Sequence, residues 1–391
     1  MLNLLFHTFL IAQAIDPDAL RTFGEVCEAH GYNYEAHNVT TADGYILTLF
    51  RIPSKKNQPY VPGTPVVFLQ HGLIDLADTW IMNNPCPGFL FADAGYDVWF
   101  GNSRGSYHSL GHIKWNYKKD PQYWQFTWQH MADYDIPAVI PFVLQQTNQA
   151  KLTYVGHSQG TLQMFAHLSA NPSFINNLNL FIALAPVGTV RHLDIFLFNI
   201  LKEIPLMKAL EDLGIYEFLP NTHSNLEFYE ICHTFGFACD DVIGFVADMQ
   251  VANDNTAMFP TILAHEPGGT STLNMEHWQQ MTDYLSYKVQ KFDYGSKGNM
   301  ANYGQNTPPL YDFTKITGPI ALYTGNADRL ADPTDVKWLE ATIPQSSVVY
   351  ETELDGFGHL TFLWGKPSVM TYFQQVITLA NQYKTSSIKL D

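Results

Sequence analysis

Positive charge is scarce in this 391-residue chain: 21 Lys and Arg face 37 Asp and Glu, leaving a formal net charge of −16. A nucleic-acid binder needs a basic footprint, so the balance argues against that class of partner. Cysteine is sparse too, and its four copies cannot staple a disulfide-dense scaffold. Beyond the first 14 residues no run reaches 18 consecutive apolar residues, so no spanning helix is expected in a mature chain. Internal repeats and low-complexity tracts are absent, which removes solenoids and disordered arrays.

What is present is globular. Hydrophobic residues make up 46% and aromatics 14%, enough in a chain of this length to bury a large core. The 15 His would take up protons in mild acid and pull the net charge toward zero, which fits an acidic compartment without establishing one. Residues 1–14 are apolar and end in Ala12-Gln13-Ala14, reading as a compact secretory signal, although no Lys or Arg opens it. The alternative is a mature segment packed on the fold. Cys232 and Cys239, around an aromatic, Gly-containing bend, are the pair to bridge if the chain is secreted. A lone C-x₆-C pair is a poor metal signature. Cys27 and Cys86 are left free or paired by an unseen contact. Asn38-Val39-Thr40 is the single glycosylation acceptor.

The informative stretch is Leu152-Thr153-Tyr154-Val155-Gly156-His157-Ser158-Gln159-Gly160-Thr161. A buried strand runs into Gly-x-Ser-x-Gly, and Leu162, Phe165, Ala166 and Ser169 continue at helical spacing. In such a nucleophile elbow the strand turns sharply into a helix and lifts the Ser158 hydroxyl above the sheet edge.

Other strands fall around it. A hairpin spans residues 37–52 with its turn at Asp43-Gly44, and strands are predicted over 65–70, 96–100, 180–185, 319–324 and 347–353. Helices are predicted over 18–31, 88–94, 124–149, 334–341 and 367–383, the third bent at Pro137 and Pro141. From about Val190 to Asn306 the strand–helix rhythm weakens into aromatic and aliphatic stretches broken by Pro, Gly and Asn. That implies an α/β fold of the α/β-hydrolase type with a mostly helical cap insertion. The divisions are a candidate signal over 1–14, core over 15–189, cap or lid over 190–306, and core again over 307–391. The cap's apolar faces would line a greasy cleft or merely pack on the core.

Chain order carries the chemistry further. Ser158, Asp328 and His359 follow the nucleophile–acid–base order of α/β hydrolases, each just past a predicted strand end. His359 would take the Ser158 proton during attack on an ester carbonyl and return it to the departing alkoxide, with Asp328 orienting the imidazole. Main-chain N–H groups of Leu73 and Gln159 are the expected oxyanion donors. Asp332, four residues after Asp328, is the alternative acid. His157 and His71 read as packing or loop-shaping residues, and Arg104 as holding its loop by hydrogen bonds in preference to touching substrate. Asp78 to Trp80 and Asn83-Asn84-Pro85 are expected at the rim. The chemistry calls for no metal or organic cofactor.

Taken together, Leu69-Gln70-His71-Gly72-Leu73, Ala92-Asp93-Ala94-Gly95-Tyr96-Asp97-Val98-Trp99, Gly101-Asn102-Ser103-Arg104-Gly105, Gly156-His157-Ser158-Gln159-Gly160-Thr161 and Leu330-Ala331-Asp332-Pro333 resemble the acid lipase family of gastric and lysosomal lipases. The resemblance runs from about Val26 to Tyr383. It implies hydrolysis of neutral-lipid esters at a lipid–water interface, triacylglycerols or cholesteryl esters, at acidic pH, by an enzyme that is secreted or lysosomal. It also implies a mobile lid, roles for Ser158, Asp328, His359, Leu73 and Gln159 as above, and a cap disulfide similar to Cys232–Cys239. Two departures stand out: Cys86-Pro87-Gly88 in place of a more polar rim stretch, and His130 where the family tends to carry an acid. A general carboxylesterase and a noncatalytic lipid-binding or transfer protein are the competing readings. Work near pH 5 would require His359 to stay partly neutral, which burial would favour.

Overall fold

The computed structural model describes residues 16–203, 206–221, 243–244, 247–283 and 285–384. The candidate signal over 1–14 and both Cys232 and Cys239 lie outside these residues.

Eleven strands are found among the described residues: β1 Glu35–Thr40, β2 Tyr45–Ile52, β3 Val66–Gln70, β4 Asp97–Gly101, β5 Gly111–His112, β6 Leu152–His157, β7 Leu178–Leu184, β8 Glu217–Phe218, β9 Thr270–Ser271, β10 Ile320–Gly325 and β11 Val348–Leu354. The main sheet runs β1-β2-β4-β3-β6-β7-β10-β11, with β5 on β2, while β8 and β9 form a separate ribbon. From β4 to β11 all pairings are parallel, and the β1–β2 hairpin adds antiparallel strands at one edge. Every residue of β3, β4, β6, β7 and β10 is buried, as parallel strands covered on both faces require. Edge strand β11 alternates between less and more exposed positions instead. This is the predicted mixed α/β architecture, and its register positions the site. Gln70 pairs with Gly156, His157 with Leu184, Leu184 with Tyr323, and Gly325 with Leu354. The strands therefore end level, and the loops after β3, β6, β10 and β11 share one crest.

Three predicted helices differ in detail, and the one expected over 18–31 is split into a short turn Pro17–Leu20 and a helix Phe23–Ala29 that Thr22 caps. The long one begins at Trp128, since residues 125–127 are not helical, and passes through a π-helical turn at Met131–Asp135 into Ile136–Thr147. Pro137 has no N–H to give the preceding turn, and the wider turn, in which Ile136 N–H reaches the Met131 carbonyl, absorbs the mismatch. His130 accepts from Thr127 N–H at 3.0 Å and so closes this helix start. Half-buried, its imidazole is pushed down to about 3 by desolvation and by the nearby Arg104, so it stands as a neutral capping group. The terminal helix occupies Phe373–Tyr383, later than predicted, behind a short turn of helix at Thr361–Trp364 that the sequence did not announce. Between β7 and β10 the described helices include Phe196–Glu203, Leu206–Asp212, Phe259–His265, Thr272–Thr282 and Gly295–Tyr303.

Most of the expected rim is interior, with Asn84 exposed and Pro85 half-buried. Asp78, Thr79, Trp80 and Asn83 are all buried. Asn83 Nδ2 donates to the carbonyls of Leu363 and Gly365, both at 2.9 Å, and Cys86 is a buried, free thiol at the start of helix Pro87–Asp93. A Cβ on Gly88 would approach Ile81 to 2.9 Å, so the departing Cys-Pro-Gly segment is a packing feature. Asp78 is clasped by two imidazoles, His108 Nε2 at 2.7 Å and His265 Nδ1 at 2.9 Å.

That cluster gives the fold a pH dependence whose sign follows from its charges. Burial alone would raise Asp78, but the two imidazoles hold it far below the ordinary carboxylate range, and Asp78 in turn raises His265 against burial. A raised His stabilises below its unfolded value of about 6.5 and loses that contribution as pH climbs through the folded value; a depressed Asp stabilises above about 3.9. Both contributions are present between roughly pH 4 and 6.5. Asp78→Asn is expected to cost about 3–5 kcal/mol at pH 5, and clearly less at pH 8, by calorimetric unfolding. Equal losses at the two pH values would contradict the assignment.

Candidate active site

Ser158 sits between β6 and helix Gln159–Ala170 with φ +54° and ψ −121°, a conformation costly for a residue with a side chain. The surroundings hold it there. Ser158 N–H donates to the Leu184 carbonyl at 3.1 Å, and its own carbonyl accepts from Thr161 N–H at 2.8 Å and Thr161 Oγ1 at 2.6 Å. The two glycines of the motif are sterically required: a Cβ on Gly156 would stand 2.9 Å from the Gly160 carbonyl, and one on Gly160 would stand 2.5 Å from the Gln70 carbonyl oxygen.

The crest loops bring the other two candidates to this hydroxyl. His359 Nε2 lies 2.7 Å from Ser158 Oγ, and His359 Nδ1 lies 2.9 and 3.1 Å from the two Asp328 oxygens. All three side chains are buried. Asp328 Oδ1 also accepts from the N–H groups of Leu330 and Ala331 at 2.9 and 2.8 Å, which fixes the carboxylate plane. Asp332, the alternative acid, is the cap of helix Pro333–Thr342, where its Oδ1 takes Thr334 N–H at 2.7 Å. The arrangement can pass a proton from Ser158 to His359 while Asp328 stabilises the resulting imidazolium.

Opposite the hydroxyl runs the loop after β3. A Cβ on Gly72 would come within 3.2 Å of Ser158 Cβ, so any side chain here would crowd the nucleophile. The main-chain N–H groups of Leu73 and Gln159, the expected oxyanion donors, make no hydrogen bond among the described residues. His71 shapes the loop as expected: its Nδ1 bonds the Gly72 carbonyl at 2.9 Å and its Nε2 accepts from Ser103 N–H at 3.0 Å. His157 donates from Nε2 to the His359 carbonyl at 2.9 Å and, pushed down to about 3 by burial and by His359, remains neutral. Arg104 is fully engaged elsewhere, paired with Asp135 and Asp43 and stacked 4.0 Å over Tyr45, so it holds its loop. Asn38 is exposed on β1, with its Oδ1 3.3 Å from Thr48 Oγ1.

Several supporting residues escaped the sequence reading. Asp75 accepts from Gly72 N–H at 3.0 Å and from Leu76 N–H at 2.9 Å, setting the turn that carries Leu73. Glu266 hydrogen-bonds Asp75 and is held neutral by burial and by Asp75 itself. Gln159 Oε1 accepts from Trp278 Nε1 at 2.8 Å and Asn274 Nδ2 at 3.0 Å, so helix Thr272–Thr282 steadies the elbow. Acidic residues near glycine turns were the one available signal, and it is too common to single these out. Electrostatics also correct one expectation: burial does push His359 toward neutrality, yet Asp328 and Asp248 outweigh it, and the net direction is upward. Among the described residues no group of His, Cys, Asp and Glu is arranged to hold a metal, and no helix is long and apolar enough to cross a membrane.

Comparison with known proteins identifies the family. The family described as a partial alpha/beta-hydrolase lipase region matches residues 23–84, and the alpha/beta hydrolase fold family matches residues 65–201. Gastric triacylglycerol lipase of Bos taurus is 39% identical over 385 residues, covering 96% of this chain and 95% of the relative. Lipase lipl-1 of Caenorhabditis elegans is 40% identical over 381 residues, covering 93% and 92%, and human lipase member K is 38% identical over 381 residues, covering 94% and 92%. Among solved structures, a soluble variant of monoglyceride lipase from Saccharomyces cerevisiae superposes with a TM-score of 0.53 at 14% identity, covering 90% of this chain and 97% of that one, a likeness of fold. With relatives so similar along nearly its whole length, the chain belongs to the α/β-hydrolase lipases of the gastric lipase family.

Proposed function

We propose that this protein is a serine ester hydrolase that cleaves the carboxylic esters of neutral lipids, triacylglycerols foremost, through an acyl-serine intermediate. The observation that carries the reading is the 2.7 Å approach of His359 Nε2 to Ser158 Oγ within a chain 39% identical to a gastric triacylglycerol lipase. Ser158 Oγ attacks the ester carbonyl as His359 takes its proton. The oxyanion accepts main-chain hydrogens from Leu73 and Gln159, and the imidazolium protonates the departing alkoxide. Water, deprotonated by His359, then releases the fatty acid and restores the serine. Beyond the ester and water, each step uses side chains and amides of this chain.

Secretion or delivery to an acidic vesicle lumen is supported by the apolar start of the sequence, the exposed Asn38 acceptor and the acid-side stabilisation at Asp78. The raised His359 limits the free enzyme, since only the neutral imidazole is a base, so work in acid draws on a state in which bound substrate covers the site.

The test is fatty-acid release from dispersed long-chain triacylglycerol, cholesteryl ester and short soluble esters, followed from pH 4 to 7.5. Long-chain triacylglycerol should be hydrolysed. Cleavage confined to short soluble esters would make the protein a carboxylesterase, and binding without release would make it a lipid carrier.

A further inference from the structure

Asp248 belongs to none of the strand-end loops that carry Ser158, Asp328 and His359; it comes from the chain between β7 and β10. It is buried, and its two oxygens serve two different loops. Oδ2 accepts from Arg329 N–H at 2.8 Å, and Oδ1 accepts from His359 N–H at 2.8 Å. One carboxylate thus ties the residue after the acid to the base itself. The packing is close: a Cβ on Gly358 would stand 2.9 Å from Asp248 Oδ1.

We propose that Asp248 is a positioning residue for the hydrolysis, setting the angle between the Asp328 and His359 loops through these two main-chain hydrogen bonds and placing a second carboxyl beside the imidazole. The proposal rests on the reading that Ser158, Asp328 and His359 carry the reaction. The segment is held in place without Asp248. Gln250 Nε2 reaches the Ala327 carbonyl at 3.3 Å, Asn253 Nδ2 the Gly356 carbonyl at 2.6 Å, and Thr361 Oγ1 donates to Asp254 Oδ1 at 2.5 Å. A change at Asp248 alone therefore leaves the fold anchored and loosens only the relay.

Charge gives the position a second consequence. Asp248 is faced by Asp328 and His359, while the neighbouring Arg329 guanidinium turns away to Asp194 at 2.7 Å. His359 is faced by Asp328, Asp248 and Asp75, and by His157, which is neutral. Burial and the Asp328 charge raise the Asp248 carboxyl, so in mild acid it takes a proton that an exposed Asp would refuse. The charge that favours a protonated His359 is then withdrawn as pH falls, and the imidazole stays available as a base further into acid than a permanent carboxylate would allow.

The experiment compares wild type with Asp248→Asn and Asp248→Ser, measuring kcat and KM for a short-chain ester from pH 4 to 8 and the low-field proton resonance of His359 Nδ1–H. Asn keeps one acceptor and turns an N–H₂ toward the other main-chain donor. We expect kcat to fall on the order of 10- to 100-fold, KM to stay within about twofold, and the upper end of the acid limb, where wild-type Asp248 still carries its charge, to move to lower pH, with the limbs converging in stronger acid where wild-type Asp248 is itself protonated. Wild-type kcat with an unmoved acid limb would overturn the proposal, as would a fall in kcat with an unshifted resonance. If neither variant folds, the wild-type resonance decides: a second inflection from Asp248 supports the role, and a single inflection refutes it. If wild type hydrolyses no ester, the functional reading fails, and the resonance still answers for Asp248.

Discussion

Ser158→Ala is expected to lower kcat on the order of 10⁶-fold while leaving the far-ultraviolet spectrum and melting temperature near those of wild type. The size follows from the role: with no Oγ there is no acyl-enzyme, and the remaining amides can only polarise a carbonyl for slow attack by water. The fold should survive because what holds the elbow is main chain and Thr161. Ser158 N–H to Leu184, Thr161 N–H and Thr161 Oγ1 to the Ser158 carbonyl are all independent of the hydroxyl. Alanine must still occupy φ +54°, a strain serine already bears. A loss of less than about tenfold in rate would mean that the hydroxyl is not the nucleophile.

Asp328→Asn is expected to cost on the order of 10⁴-fold in kcat, a larger loss than its small change in shape suggests. Asp328 Oδ1 is committed to the N–H groups of Leu330 and Ala331, so the amide oxygen of Asn would keep that side and the N–H₂ would point at His359 Nδ1. The imidazole would then accept at Nδ1 and carry its proton on Nε2, the nitrogen that must receive the proton of Ser158. Binding is untouched, so KM should hold. Asp332→Asn is the matched control: its oxygen only caps a helix, and asparagine caps nearly as well, so activity should stay within about twofold. A reversal of the two results would move the acid from residue 328 to residue 332.

The crest of the sheet was legible in the sequence because local patterns mark it. Buried apolar runs end at Gln70, His157, Leu184 and Gly325, the half-exposed edge strand ends at Leu354, and a glycine or a polar residue sits at or just after four of those five ends. Parallel strands covered on both faces read as continuous hydrophobic stretches, and the chain order of Ser158, Asp328 and His359 did the rest. What stayed hidden depends on contacts across long sequence separations. Asp248 meets residue 359, Asn274 meets residue 159 and Asp78 meets residue 265, and no period or spacing relates those pairs. Part of the rim was misplaced for a related reason. Asp78 and Asn83 are polar and flank turns, which reads as surface, whereas two imidazoles and two carbonyls satisfy them in the interior. The direction of the His359 shift was missed because burial was legible and the second carboxylate was not.

The most direct measurement is intact-protein and peptide mass spectrometry after brief reaction with a fluorophosphonate carrying a long alkyl chain. One adduct per chain, on the peptide containing Ser158 and absent from Ser158→Ala, is the result required if the hydroxyl above β6 is activated by His359. Folded protein that takes no adduct, or takes it on another residue, would contradict the account.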